Sequence, residues 1–371
     1  TATGSGSVTA RGLERGSDST NSGNVSASAV SGNVMAAGAQ DAGADVKNTG
    51  SISAQSVSGN ANAHGAFGLG SSSTGCSNSG TVTSTTGTKQ ALAIGVQNCA
   101  SSENRGRVSA TSTRGSAVGQ GMTLCTGSTN YGDVDVTYVG EDDAEGGLSA
   151  QGLNSCTNST NVGSVTGTVK ASTTACTVSG TSGGSGNVNQ GAVTATSSSG
   201  PANARGVRSS NSQNYGTVYA RTSAENTGND LCNATAYGTD ASGSFNGGDV
   251  TAISENGGAH AYGHHGGGSS SGSVSAVSNF FMTGTDENGI DYGWIGVAHA
   301  YNSTSVQASV AGHSVSASGG NEVNLYYFFA ASNCEDHMGM NRGFVSYEKG
   351  SEPDDFDGCF VHVGTASSDA N

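Results

Sequence analysis

Cysteines are the side chains of this 371-residue chain with the most evident chemistry, and there are eight of them. Cys99, Cys125 and Cys156 each lie nine residues before a valine that opens a repeated phrase, and Cys76 lies shortly upstream of them. None has the C-x-x-C spacing of zinc sites, so pairing among the cysteines is the expected chemistry, with free buried thiols as the alternative. The predicted disulfides are Cys76–Cys99 and Cys125–Cys156 and, by elimination, Cys176–Cys232 and Cys334–Cys359.

A histidine cluster occurs in the segment GAHAYGHHGGG, which contains His260, His264 and His265. Metal binding is one interpretation, but no carboxylate or cysteine supports the three imidazoles, so a solvated glycine-rich turn is favoured. The segments DENGID at 286–291 and EPDDFDG at 352–358 have the alternating oxygen atoms of calcium loops without a complete calcium-binding motif. We therefore predict no metal and no other cofactor.

Acidic residues gather around Asp133 and Asp135, just before the loop acids at 141–143. Clustered carboxylates could act as acid and base in hydrolysis. However, Arg107 occupies the position of Asp133 one repeat earlier, so an ion pair between neighbouring repeats accounts for these charges. Because no nucleophile stands at a recognisable spacing from a base, the sequence predicts a protein that is not an enzyme.

The elements that position these residues come from an internal repeat. The phrase Asn-x-Gly-x-Val returns along the chain, followed by a phrase of the form Ala-x-Ala-x-Gly, and the basic period is 26 residues. Extra residues enter mostly at one point of the period, which is typical of stacked turns with loops along one edge. The Asn phrase and its variants begin at Asn21, Asn48, Asn78, Asn104, Asn130, Asn161, Asn189, Asn214, Asn246, Ser270, Asn302 and Asn341.

Each phrase alternates with period two, as in VSA at 108–110, which is the periodicity of strands. The Asn-x-Gly element predicts a turn in which glycine is free to adopt positive φ, and the inward asparagines predict a hydrogen-bonded ladder. The sequence thus indicates an all-β protein, a single parallel β-solenoid of about twelve rungs. We expect the repeat over 1–320, with irregular final rungs and an aromatic cap over 321–371, since 13 of the 21 aromatic residues follow residue 279.

Composition and charge indicate which partners the protein can bind and where it is located. The net charge of −15 opposes binding to nucleic acid, and no apolar run is long enough to insert into a membrane. The chain begins with Thr rather than Met, which favours a processed N-terminus. With the even cysteine count, N-x-[S/T] sequons predict a secreted, glycosylated, extracellular or cell-surface protein. Asn158 and Asn233 are the expected acceptors, Asn24 is a further candidate, and Asn302 is the weakest.

The N-x-G-x-V-x-A and A-x-A-x-G phrases resemble repeats of filamentous-haemagglutinin-type β-helical adhesins and other secreted β-solenoids. The resemblance covers about residues 1–320. It implies a parallel β-solenoid on the outside of a cell, and it specifies no ligand.

The function predicted first is a structural subunit of an extracellular filament or cell-surface appendage that assembles head to tail with itself. The open strand edge around Val8 and Ala10 would contact the C-terminal region of the next subunit at Tyr326, Tyr327, Phe328 and Phe329. A glycan-binding adhesin is the alternative. A second alternative is an ice-binding solenoid, because an outward column beside the repeated valine is rich in hydroxyls: Ser53, Thr83, Ser109, Asp135, Thr166, Thr194 and Tyr219.

Overall fold

The structure is a computed structural model that describes residues 2–279, apart from 69–72, 141–145, 172–173 and 224–232, and six strands between residues 281 and 367. Throughout these residues the regular elements are β-strands, and no helix occurs. The strands form three sheets that run along the solenoid, and each parallel turn between Thr20 and Ser270 contributes one strand to each sheet. The predicted all-β parallel β-solenoid is therefore confirmed.

The valine sheet opens most of its strands on the repeated valine. Its 13 strands are listed in spatial order, each hydrogen-bonded to the next. They are Ala2–Gly4, Val25–Ala29, Ile52–Ser56, Val82–Thr86, Val108–Ser112, Val134–Tyr138, Val165–Val169, Val193–Ser197, Val218–Thr222, Val250–Ser254, Ser273–Ser278, Ser305–Val310 and His313–Ser318.

The glycine sheet contains the Ala-x-Ala-x-Gly phrases. Thirteen of its 14 strands follow one path. They are Val8–Glu14, Val34–Ala42, Ala61–Gly68, Ala91–Gln97, Ala117–Thr123, Leu148–Thr157, Cys176–Ser185, Ala202–Ser210, Ala234–Asp240, Ala259–His265, Asp291–Tyr301, Asn321–Ala330 and Phe360–Ser367. The remaining strand, Phe281–Thr285, pairs with Asp291–Tyr301.

The asparagine sheet consists of ten two-residue strands, each of which ends on the ladder residue of its turn. These strands are Thr20–Asn21, Lys47–Asn48, Ser77–Asn78, Glu103–Asn104, Thr129–Asn130, Thr160–Asn161, Val188–Asn189, Gln213–Asn214, Phe245–Asn246 and Ser269–Ser270. Between the first and the last of them the chain completes nine turns.

Pairing is parallel and in register through these turns, so equivalent residues of successive repeats lie side by side, as Val82 does with Val108. The direction changes near the C-terminal end, where Ser305–Val310 pairs antiparallel with His313–Ser318. Asp291–Tyr301 likewise pairs antiparallel with Asn321–Ala330. About nine parallel turns replace the predicted twelve, and the division at residue 320 stays a prediction.

The main core lies between the valine and glycine sheets. In Val82–Thr86 and Ala91–Gln97, the first and third residues of each strand are buried, as strand alternation requires. The same inward Val and Ala positions recur in turn after turn. A second apolar cluster lies past the glycine of the repeat, where Val96, Met122 and Leu153 pack with the cysteines. The glycine sheet therefore contributes to two cores.

The repeat glycines are required because successive turns leave no room for a Cβ, and the Asn-x-Gly glycines do not adopt the positive φ that glycine allows. A Cβ on Gly80 would fall far inside van der Waals contact of the Gly50 carbonyl oxygen one turn earlier, and Gly80 has no positive φ. The close approach of successive turns therefore requires glycine at this position.

Candidate functional sites along the solenoid

The asparagine ladder is the most regular polar feature of the molecule. Asn104 Nδ2 donates to Asn130 Oδ1 of the next turn at 2.7 Å and to the carbonyl of Gly106 in its own turn at 3.0 Å. The same pair of bonds repeats from Asn21 to Asn214, and Asn246 ends the series by donating to Ser270 Oγ at 3.0 Å. Because every amide is buried and satisfied, the ladder fixes one register, as the sequence predicted.

A second buried ladder, made mainly of serines, was not recognised in the sequence. Ser128 Oγ accepts from the backbone N–H of Ser102 at 3.0 Å and donates to the Thr126 carbonyl at 2.9 Å. Ser159 takes the same role one turn later, where its Oγ accepts from Ser128 N at 3.2 Å. The available signal was a serine two residues before six of the nine ladder asparagines, which is easily missed in a chain so rich in serine.

The cysteines of the first turns meet at the corner between the glycine and asparagine sheets. Cys99 Sγ lies 2.7 Å from Cys76 Sγ and donates to it, although Cys76 aligns with Ser102 rather than with Cys99. Cys125 and Cys156 occupy the next turns of the Cys99 position, and the backbone N–H of Cys125 donates to Cys156 Sγ at 3.4 Å. The structure thus brings together the two pairs that the sequence favoured.

Within each pair the two thiols differ in acidity. The hydrogen bond from Cys99 lowers the pKa of Cys76, and the same bond, together with burial, raises the pKa of Cys99. Cys125 and Cys156 repeat this division, with the pKa of Cys125 lowered and that of Cys156 raised. Cys76 and Cys125 are therefore the more acidic thiols of their pairs.

All five described cysteines are free thiols, so disulfide formation stays a prediction. Cys176 lies apart from the two pairs, inside the main core, and burial raises its pKa to about 12. Its predicted partner Cys232, together with Cys334 and Cys359, lies outside the described residues.

The histidine segment joins a polar and aromatic cluster on the outer face of the glycine sheet. Tyr237 and Tyr262 stack with ring centroids 4.8 Å apart. Asp240 accepts from Arg205 Nε at 3.0 Å and lies 2.9 Å from His265 Nδ1. Asp240 therefore has a side-chain partner on the preceding turn, Arg205, and another on the following turn, His265. Among the described residues, no group of three or more His, Cys, Asp or Glu side chains is arranged to bind a metal ion.

The acidic residues near the loop at 141–145 are engaged separately. Arg107 Nε donates to Asp135 Oδ2 at 2.6 Å. Asp133 accepts from the backbone N–H and the hydroxyl of Ser164, at 2.9 and 2.6 Å. The ion pair with Arg107 is formed by Asp135, whereas Asp133 aligns with Arg107 in register. Acids 141–143 lie outside the described residues.

An exposed apolar stripe follows the x position of the Asn-x-Gly phrase. Tyr131, Val162 and Tyr215 are 42%, 37% and 50% exposed on the edge of the asparagine sheet. The Arg105 guanidinium lies 4.3 Å from the centroid of the Tyr131 ring, and Phe245 contacts Tyr215 with centroids 6.0 Å apart. Reading the x position as a column would have revealed this stripe.

The sequons have different environments. Asn158 is exposed at a corner with φ of 49°. Asn24 is also exposed, and its Oδ1 accepts from Ser51 N at 3.0 Å. Asn233 is half-buried and accepts from Gly258 N at 3.0 Å. These environments favour Asn158 and Asn24 over Asn233 as glycan acceptors, while Asn302 lies outside the described residues.

The residues predicted to join subunits lie in strands of the glycine sheet. Val8 and Ala10 are buried, so their side chains belong to the core and only their backbone lies at the edge. Tyr326, Tyr327 and Phe328 lie in a strand that pairs on both sides, with Asp291–Tyr301 and with Phe360–Ser367. Phe329 pairs with Gly293 in the same strand. Whether these residues contact another subunit stays a prediction.

No protein-family model, curated protein or solved structure matches this chain. The likeness to filamentous-haemagglutinin-type adhesins is therefore one of β-solenoid architecture. In the part of the chain that the structure describes, no helix is long and apolar enough to cross a membrane.

Proposed function

We propose that this chain is a structural subunit of an extracellular filament or cell-surface appendage. The observation that carries the proposal is the asparagine ladder, which runs from Asn21 to Ser270 without a missing hydrogen bond. A rod braced in this way by buried, fully satisfied amides resists bending and slippage between turns.

Head-to-tail self-assembly is part of this proposal. Each turn contacts the next through the same parallel pairing, so a second copy that presents the same columns can continue the pattern. The parallel turns and the antiparallel strands lie at opposite ends, so contact between copies is heterologous and gives an open filament.

Negative-stain electron microscopy of the purified protein at rising concentration tests this assembly, and fibres are the expected result. A Thr9→Pro variant gives a sharp comparison. Val8 N donates to Asn33 in the next turn, so the N–H of Thr9 points away from that turn. Proline at Thr9 should therefore abolish fibres with little effect on the fold, whereas Thr9→Ser should retain them. Monodisperse particles of the unaltered protein at the highest concentration would overturn the proposal.

Glycan binding by an adhesin is the second candidate, and the exposed stripe of Tyr131, Val162 and Tyr215 favours it. Exposed tyrosine rings offer flat faces for sugar rings, and Gln190 lies between Val162 and Tyr215 in the same column. Glycan-array binding that is lost in Tyr215→Ala, and retained in Val57→Ala at a different exposed corner, would support this function. An unaltered glycan-binding profile in Tyr215→Ala would show that the stripe is not the glycan-binding surface.

A further inference from the structure

The outer face of the valine sheet has two columns of five residues on consecutive turns, and nine of these ten residues carry a hydroxyl. The pairing register places the members of each column side by side on successive turns. One column is Thr83, Ser109, Asp135, Thr166 and Thr194, and the other is Thr85, Thr111, Thr137, Thr168 and Thr196.

The array is regular in both directions. Successive turns of a parallel sheet are ~4.8 Å apart, and alternate residues along a strand are roughly 6.6–6.8 Å apart. All ten positions are half-buried in the same alternating pattern, so no side chain stands out from the face. Threonine is β-branched and stiff at χ1, which holds its methyl and hydroxyl groups in place.

The outward hydroxyls differ from the inward hydroxyls of the same strands in their hydrogen bonding. Inward Ser84 and Thr86 donate to the carbonyls of Ala61 and Gly59, at 2.6 and 2.8 Å. By contrast, within the described part of the chain, the nine outward Ser and Thr hydroxyls of the array have no protein partner. Nine fixed hydroxyls are therefore available to bind water.

We propose that this face binds the surface of ice. Water that hydrogen-bonds to a rigid lattice of hydroxyls adopts its spacing, and the two spacings of the array are close to oxygen repeats on the prism faces of hexagonal ice. The threonine methyl groups between the hydroxyls reduce competing hydration. A polysaccharide is the less suitable ligand, because none of the ten positions has an aromatic ring for a sugar to stack on.

One position interrupts the lattice, and the array has clear limits. Asp135 replaces a hydroxyl in the first column and forms an ion pair with Arg107. Tyr219 and Arg221 follow the last turn of the array, and Gln55 precedes its second column. The proposal therefore predicts that replacing Asp135 by a residue with a hydroxyl improves ice binding.

Thermal hysteresis and ice-crystal shape, measured on dilute monomeric protein, test the proposal separately from filament assembly. The unaltered protein should shape growing ice crystals and depress their growth temperature. Thr137→Tyr, at the centre of the second column, should remove most of the hysteresis. Thr177→Tyr, at a half-buried outward position of the glycine sheet, should leave it unchanged. Asp135→Thr should increase it.

Three results would overturn ice binding: no hysteresis in the unaltered protein, equal loss in both tyrosine variants, or loss in Asp135→Thr. Circular dichroism of each variant distinguishes misfolding from a loss of ice binding in a folded protein. If Thr137→Tyr fails to fold, Thr137→Val keeps the shape and removes one hydroxyl, and it should lower the hysteresis. None of these results depends on whether the protein forms fibres.

Discussion

At the scale of single residues, the solenoid depends on the absence of a side chain opposite each ladder asparagine. A Cβ on Gly121 would lie 2.5 Å from Asn130 Cγ, well inside contact distance. Gly121→Ala should therefore force the ladder out of position and destabilise the protein by about 2–4 kcal/mol. Thermal and urea unfolding midpoints measure this effect.

Gly6→Ala is the matched control, because a Cβ there meets nothing within 4 Å and the residue has no positive φ. Its unfolding midpoint should stay close to that of the unaltered protein. Equal unfolding midpoints for the two variants would show that the repeat glycine is not required by contact with the asparagine ladder.

His64 should make stability depend on pH. Its side chain is 9% exposed, and its Nδ1 has no partner. Burial lowers the pKa of His64 from 6.5 to about 4, and the side chain of Gln97 opposes this shift only in part. Since the unfolded chain binds the proton more readily, stability falls as the pH drops from about 6.5 to 4, by about 3 kcal/mol at 1.36 kcal/mol per pH unit.

Comparison with His64→Leu isolates this contribution from the carboxylates that titrate in the same range. Leucine is chosen because Ile94 holds the equivalent position in the next turn. The difference in unfolding free energy between the two proteins should change over that pH window and be constant above pH 7. A constant difference from pH 4 to 8 would contradict the low pKa.

The two close cysteine pairs should form disulfides under a mild oxidant such as oxidised glutathione. Cys76 and Cys99 enclose a loop of 23 residues, and closing it should stabilise the fold by ~3 kcal/mol. Non-reducing peptide mapping should find Cys76–Cys99 and Cys125–Cys156, with the circular dichroism unchanged. Dominant pairing of Cys99 with Cys125 would contradict the arrangement of the two pairs.

At the scale of elements, the serine ladder provides acceptors for buried backbone N–H groups at one corner of several turns. Ser128→Ala leaves the buried N–H of Ser102 without its acceptor, which should cost about 1–3 kcal/mol. Ser109→Ala changes an outward serine that has no protein partner, so its cost should be within about 0.5 kcal/mol. Similar unfolding midpoints for the two variants would show that water replaces the lost acceptor.

The sequence predicted elements well where side-chain period alone decides them. Alternation gave the strands of the valine and glycine sheets, and the 26-residue period gave parallel stacking in register. The Cys76–Cys99 pair was predicted from the sequence, but the geometry that brings the two thiols together needed the structure. Cys76 meets Cys99 although it aligns with Ser102, because both positions face inward at one corner. The second threonine column, from Thr85 to Thr196, is also readable from the sequence, because each member lies two residues after a member of the column beside the valine.

At the scale of the whole molecule, stability should vary with position along the stack. Each turn contacts only its two neighbours, so opening begins where neighbours are fewest and spreads turn by turn. Strands of the central turns, such as Val134–Tyr138 and Leu148–Thr157, have parallel partners on both sides. We expect their amides to exchange with deuterium most slowly, and those of Val8–Glu14 and His313–Ser318, which lie at the ends of their sheets among the described strands, to exchange faster. Hydrogen-exchange mass spectrometry resolves this gradient by peptide. Equal protection from the first turn to the last would mean that the solenoid opens as one cooperative unit, contrary to stability built from nearest-neighbour contacts.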